Sequence, residues 1–266
     1  MGLFRKLSRA IRGPRHHLSA EEKAWVERRL LWLKDQFGPE PLLRAPLGPR
    51  SPLWPRRWNP SYEAGAELLG KLCEFMHVDS KRLVLQYYSR SETHETGSDY
   101  AGEHHHSGPA GLYIHPDSSD RLVIALEEEG LANLGVFAAT ISHELAHVHL
   151  LADKRIEHKQ DDCEPLTDLL TVYFGAGILT ANSAFQFQQW QTSSHFGWSS
   201  SRHGYLSEQL FGYALACYAW MRGESEPDWA AHLRSNIRYY FDDSAHYLAT
   251  TRQTAVPFNI TPKKQV

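Results

Sequence analysis

Residues 132–152 read ANLGVFAATISHELAHVHLLA, and the reading of this stretch decides the fold. Leu134, Val136, Phe137, Ile141, Leu145, Val148 and Leu151 put apolar side chains nearly all round a helix. A helix of that kind belongs in a protein interior. Cut into it is one polar stripe, Thr140, His143, Glu144 and His147, at i, i+3, i+4 and i+7. Ionisable groups are costly to bury unless they are paired or bound to a metal. A single satisfied core histidine accounts for one member of the stripe and leaves the others unexplained. His143 and His147, four residues apart, share a helix face, so both imidazoles reach one point. Glu144 sits one step round, where it can touch a water on a bound ion rather than the ion. The HExxH spacing therefore predicts a zinc site with Glu144 beside it.

Such a site needs a third protein ligand and an open fourth position. Sixteen residues separate His147 from Glu164, within DDCEPLTDLLTVYF (161–174). Glu164, Thr167, Asp168 and Thr171 repeat the same four-residue stripe, again among apolar neighbours such as Leu166, Leu169, Leu170 and Val172. Two buried helices with one polar stripe each are expected to set those stripes face to face. Glu164 can then ligate the metal, and Asp168, one turn on, can accept the second ring N–H of a ligand histidine. Cys163, Asp161 and Asp162 remain rivals for the third position. Asp162 is also a candidate cap for the helix that follows. His149 lies about 200° round the helix from His147 and points away from the site. His104, His105 and His106 read as a solvated loop.

HExxH followed at this distance by ExxxD resembles the gluzincin group of zinc metallopeptidases. The resemblance covers about residues 110–182. It implies Glu164 as third ligand, Asp168 as the residue that orients a ligand histidine, and an edge strand that binds extended substrate. The strand LVIAL (122–126), just before the metal helix, is the expected edge strand. The metzincin pattern asks for Gly at 150 and His at 153, where this chain has Leu150 and Asp153. The Glu-Ala-Asn signature of short regulatory zincins does not match Glu164-Pro165-Leu166. The expected fold class is α+β and zincin-like, a small sheet before a buried HExxH helix, mostly helical elsewhere.

Around this centre the chain divides into three parts: a basic arm, helix and Pro-rich segment (1–60), a catalytic core (61–182) and a C-terminal helical part of the same domain (183–266). Leu3, Phe4, Leu7 and Ile11 recur at helical spacing among Arg5, Lys6, Arg9 and Arg12. Residues 1–12 thus read either as a frayed basic arm or as a short helix in weak contact with an anionic membrane. Ser19 and Glu22 form a capping box for a helix over 19–37, which Gly38-Pro39 stops. Seven prolines in 39–60 exclude long regular elements, so Trp54 and Trp58 are expected to anchor an extended segment. Periodicity then predicts a helix over 61–78, strands at 83–88 and 112–115, a long helix over 164–181, and final helices near 206–222 and 227–241.

Composition narrows the function. A net charge of −3 offers no footprint for nucleic acid. Three cysteines, Cys73, Cys163 and Cys217, do not make a disulfide framework and fit a reducing compartment. No apolar run spans a bilayer, and MGLFRKLSRAIRG lacks the apolar core of a secretory signal, so a cytoplasmic protein is expected. Zinc lowers the pKa of bound water to about 7, and Glu144 is placed to act as general base on a peptide substrate. The group usually supplies a Tyr or His to stabilise the oxyanion, and FGWSSSRHGYLSE (196–208) offers His203 and Tyr205, with Arg202 beside them. The rival readings are a zincin that acts on a non-peptide amide or ester, and a catalytically silent zincin that serves as a binding or regulatory module. Oligomeric state is not encoded in any of these features.

Overall fold

A computed structural model describes residues 13–89, 111–114, 121–157, 159–192 and 206–260, with the backbone alone at 111–114 and 185–192. Helix α1 (Ala20–Phe37) begins with the expected capping box: Ser19 Oγ accepts from Glu22 N at 3.1 Å, and Glu22 Oε2 accepts from Ser19 N at 2.8 Å. Gly38 ends it at φ 67° while its N–H bonds back to Lys34 O. One turn of helix, α2 (Glu40–Leu43), interrupts the Pro-rich segment. The rest of that segment runs without regular structure and is held by its tryptophans: Trp54 Nε1 donates to Gly48 O and Trp58 Nε1 to Leu131 O, both at 2.7 Å. Helix α3 (Tyr62–Met76) is capped by Ser61 and leaves through His77 in the left-handed region.

Three strands follow: β1 (Leu83–Tyr88), β2 (Gly111–Ile114) and β3 (Leu122–Glu127), in the order β1-β3-β2. β1 runs parallel to β3, with Leu83 opposite Leu122, and β2 runs antiparallel to it, with Gly111 opposite Leu126. The fold is α+β and mostly helical. The strand just before the HExxH helix corrects the expectation from sequence. β3 is the centre of the sheet and not its edge, and the antiparallel strand β2 flanks it. Its burial agrees, since all but Val123 among Leu122–Glu127 are buried on a strand paired on both sides.

Asn133 caps helix α4 (Leu134–His147) by accepting from Gly135 N and Val136 N, and the helix widens into a π turn over Val148–Ala152. Every residue from Phe137 to His147 is buried. The helix expected over 164–181 is two: α5 (Cys163–Tyr173) and α6 (Gly177–Thr192). The break falls at Gly175, whose φ of 87° a helix cannot contain. Helix α7 (Glu208–Met221) is capped by Ser207. The helix expected to begin at Pro227 is also displaced. Residues Asp228–His232 make only a 3-10 turn, after which α8 (Ser235–Thr251) starts. Asn182 enforces the interruption, because its amide donates to His232 O and accepts from Arg234 N across the junction.

Buried apolar side chains form one cluster running from Val26 to Val256, with α4 packed against α3, α5, α6 and β2. Among the described residues no helix is long and apolar enough to cross a membrane. Residues 1–12 and the His104–His106 loop lie outside the described residues.

Helices α7 and α8 approach closely at Gly212, where a Cβ would fall 2.9 Å from the Phe241 backbone nitrogen. Backbone cannot swing aside as a side-chain tip can. Gly212→Ala is therefore expected to lose about 1–3 kcal/mol of stability, the usual cost of overpacking, despite the better helix propensity of Ala. Urea denaturation checks this: the midpoint falls while the m-value stays constant.

Candidate metal centre

The two polar stripes meet as their spacing predicts. From α4 come His143 and His147, 4% and 3% exposed, and from the first turn of α5 comes Glu164. His143 Nε2 lies 3.1 Å from Glu164 Oε2, His147 Nε2 lies 3.1 Å from His143 Nε2, and the third edge, His147 Nε2 to Glu164 Oε2, is 3.6 Å. Behind the triangle, Asp168 Oδ1 sits 3.0 Å from His143 Nδ1. The other Asp168 oxygen accepts the backbone N–H of Leu206 at 2.9 Å. Thr167 Oγ1 is 3.4 Å from His147 Nδ1.

These atoms fit a metal ion on chemical grounds. A carboxylate only accepts, so the bond to Asp168 puts a hydrogen on His143 Nδ1 and leaves Nε2, facing the triangle, as the nitrogen that can give up its proton to a metal. His147 Nε2 and Glu164 Oε2 point at the same space. One proton relieves one edge of such a triangle, whereas a cation at its centre relieves all three. Around tetrahedral zinc with bonds of about 2.0–2.1 Å, neighbouring ligand atoms stand about 3.3–3.4 Å apart, and the three observed edges bracket that spacing. Among the described residues, His143, His147 and Glu164 are the group of His, Cys and carboxylate side chains able to hold a metal.

The charges respond to the same geometry. Burial alone would lower the His143 pKa, but the bonds to Asp168 and Glu164 outweigh it and hold the imidazole well above its ordinary value. Burial would raise the Glu164 carboxyl, yet bonds to His143 and His147 pull it far below the usual carboxylate range. In both groups the site stabilises the state in which positive charge sits between imidazoles and carboxylate. Glu144 differs. It is 2% exposed, burial raises its carboxyl pKa against the pull of His147 and His143, and its Oε2 has no hydrogen-bond partner among the described residues. A buried carboxylate oxygen left unpaired costs free energy.

The rivals for the third position are otherwise engaged. Burial pushes the Cys163 thiol up to about 12, so it stays neutral, and the candidate ligand group does not include it. Asp162 occupies the N-cap position of α5 without capping it. Its carboxylate instead receives Trp25 Nε1 at 2.7 Å and a forked pair from Arg29 at 2.7 and 2.8 Å, tying α1 to the turn that carries Glu164. Asp161 is likewise outside the ligand group. His149 points away as expected, donating to Met76 O at 2.7 Å and stacking on Phe174. The outer members of the stripes, Thr140 and Thr171, do not join the centre; their hydroxyls bond to Val136 O and Asp168 O. Arg202, His203 and Tyr205 lie outside the described residues.

Comparison of the chain with protein-family models, curated proteins and solved structures finds no match. The functional argument therefore rests on the site itself.

The geometry predicts a graded response to substitution. His143→Ala, His147→Ala and Glu164→Ala should each abolish stoichiometric zinc binding. Asp168→Asn should weaken it about 10–100-fold, the usual cost of losing such an orienting contact, and Cys163→Ser should leave it unchanged. Competition with a chromophoric chelator measures all five. Near-normal affinity in Glu164→Ala would remove the third-ligand assignment.

Proposed function

We propose that this protein is a zinc-dependent hydrolase, a metallopeptidase of the gluzincin type that cleaves peptide or protein substrates. The observation that carries the reading is the convergence of His143 Nε2, His147 Nε2 and Glu164 Oε2 beside a buried, unpaired Glu144 oxygen. A mixed sheet against the HExxH helix supports a zincin-like architecture. Zinc bound by His143, His147 and Glu164 would supply a Lewis acid able to polarise a carbonyl and make water acidic near neutral pH.

The chain's own groups perform the remaining work. Asp168 fixes the His143 tautomer through Nδ1, so that Nε2 is presented as a lone pair. Glu144 takes a proton from the attacking water at its unpaired Oε2 and returns it to the leaving amine. The family resemblance assigns oxyanion stabilisation to His203 and Tyr205. A silent zincin has no use for Glu144, since a buried carboxylate outside the ligand group and with Oε2 unpaired would only lower stability. Free, buried Cys73, Cys163 and Cys217 support a reducing, cytoplasmic setting.

Glu144→Gln tests the reading directly. The variant should bind zinc as the wild type does, while hydrolysis across a mixed peptide library falls by about 10²–10⁴-fold, the usual contribution of a positioned base. Undiminished hydrolysis in this variant would mean that cleavage does not run through Glu144.

A further inference from the structure

The second ligand histidine also needs a partner behind it, and the residue that provides it is not part of the ExxxD pattern. His147 can offer Nε2 to a metal only with the hydrogen on Nδ1. That hydrogen needs an acceptor, because His147 is only 3% exposed. Thr167, fully buried on α5, stands opposite, its Oγ1 3.4 Å from His147 Nδ1. The Thr167 hydroxyl has one hydrogen, and it is committed to Cys163 O, one helical turn back, at 2.8 Å. What Thr167 turns toward His147 is therefore a lone pair. The hydroxyl is a relay with fixed polarity: Cys163 O sets the direction of its O–H, and that direction makes it an acceptor for imidazole.

We propose, on the footing of the metal-site reading above, that Thr167 is the positioning residue for His147, as Asp168 is for His143. Consecutive residues of one helical turn thus hold the two ligand histidines, and the same turn begins with the third ligand, Glu164. The working unit of α5 is Glu164-x-x-Thr167-Asp168. The two supports differ in charge. Asp168 is an anion and makes His143 the more basic ligand. Thr167 is neutral and its contact is longer, 3.4 Å against 3.0 Å, so what it supplies to His147 is orientation.

Three variants separate this role from packing. Thr167→Val keeps the shape and removes the acceptor, Thr167→Ser keeps the acceptor and trims a methyl, and Thr171→Val removes another buried hydroxyl of α5 that touches no ligand. Zinc affinity by chelator competition should fall about 10-fold or more in Thr167→Val, recover in Thr167→Ser, and stay at the wild-type value in Thr171→Val. The visible spectrum of the cobalt-loaded protein should shift in Thr167→Val alone. Should Thr167→Val fail to fold, Thr167→Ala carries the same expectation. Wild-type affinity in the folded variant lacking the hydroxyl overturns the role of Thr167, as does equal weakening in Thr167→Val and Thr167→Ser. No zinc binding by the wild type instead overturns the metal-site reading beneath it.

Discussion

A buried imidazole with a carboxylate at each nitrogen is the interaction on which the rest of this structure depends. His143 holds Asp168 at Nδ1 and Glu164 at Nε2, all three on helices inside the core. Charges taken out of water are tolerated only where geometry is good and the remaining donors and acceptors are satisfied. That requirement fixes how α4 and α5 lie against each other, since a rotation of either by one residue would strand an ion in an apolar interior. The hydrophobic faces of the two helices permit several packings, and the polar stripe selects among them.

The surrounding structure braces that pair from outside. Asp162 and Arg29 form a forked ion pair that joins α1 to the entry of α5, two residues before Glu164. A pair of this geometry is worth more in orientation than in stability. On the other helix, Trp58 reaches Leu131 O just ahead of α4, and its ring packs beside Phe137. The Pro-rich segment thus acts as a strap over the start of α4. The bracing contacts come from residues remote in the chain, so the site is a property of the whole core.

What the sequence disclosed follows the range of the forces involved. The HExxH helix, its polar stripe and the Ser19–Glu22 capping box are legible because each is set within one or two helical turns. The match of Glu164 and Asp168 to that stripe was readable too, because a buried polar pattern can be satisfied only by another. The place of β3 at the centre of the sheet was not readable, because strand order depends on β1 and β2 and on loops between them. Periodicity carried straight through Gly175, where a left-handed residue splits the expected helix. Asp162 looked like a cap, and its true partners Trp25 and Arg29 stand more than 130 positions away. Thr167 was visible in the stripe, but its polarity depends on a hydroxyl hydrogen that sequence does not orient.

The double use of Asp168 has a consequence for how the molecule keeps its shape. One of its oxygens holds His143, and the other holds the chain where it enters α7, 38 positions away. Two regions that share a single carboxylate exchange free energy, and such coupling is reciprocal by thermodynamic necessity. Whatever orders the entry to α7 preorganises His143, and whatever occupies the imidazole cluster tightens that entry in return.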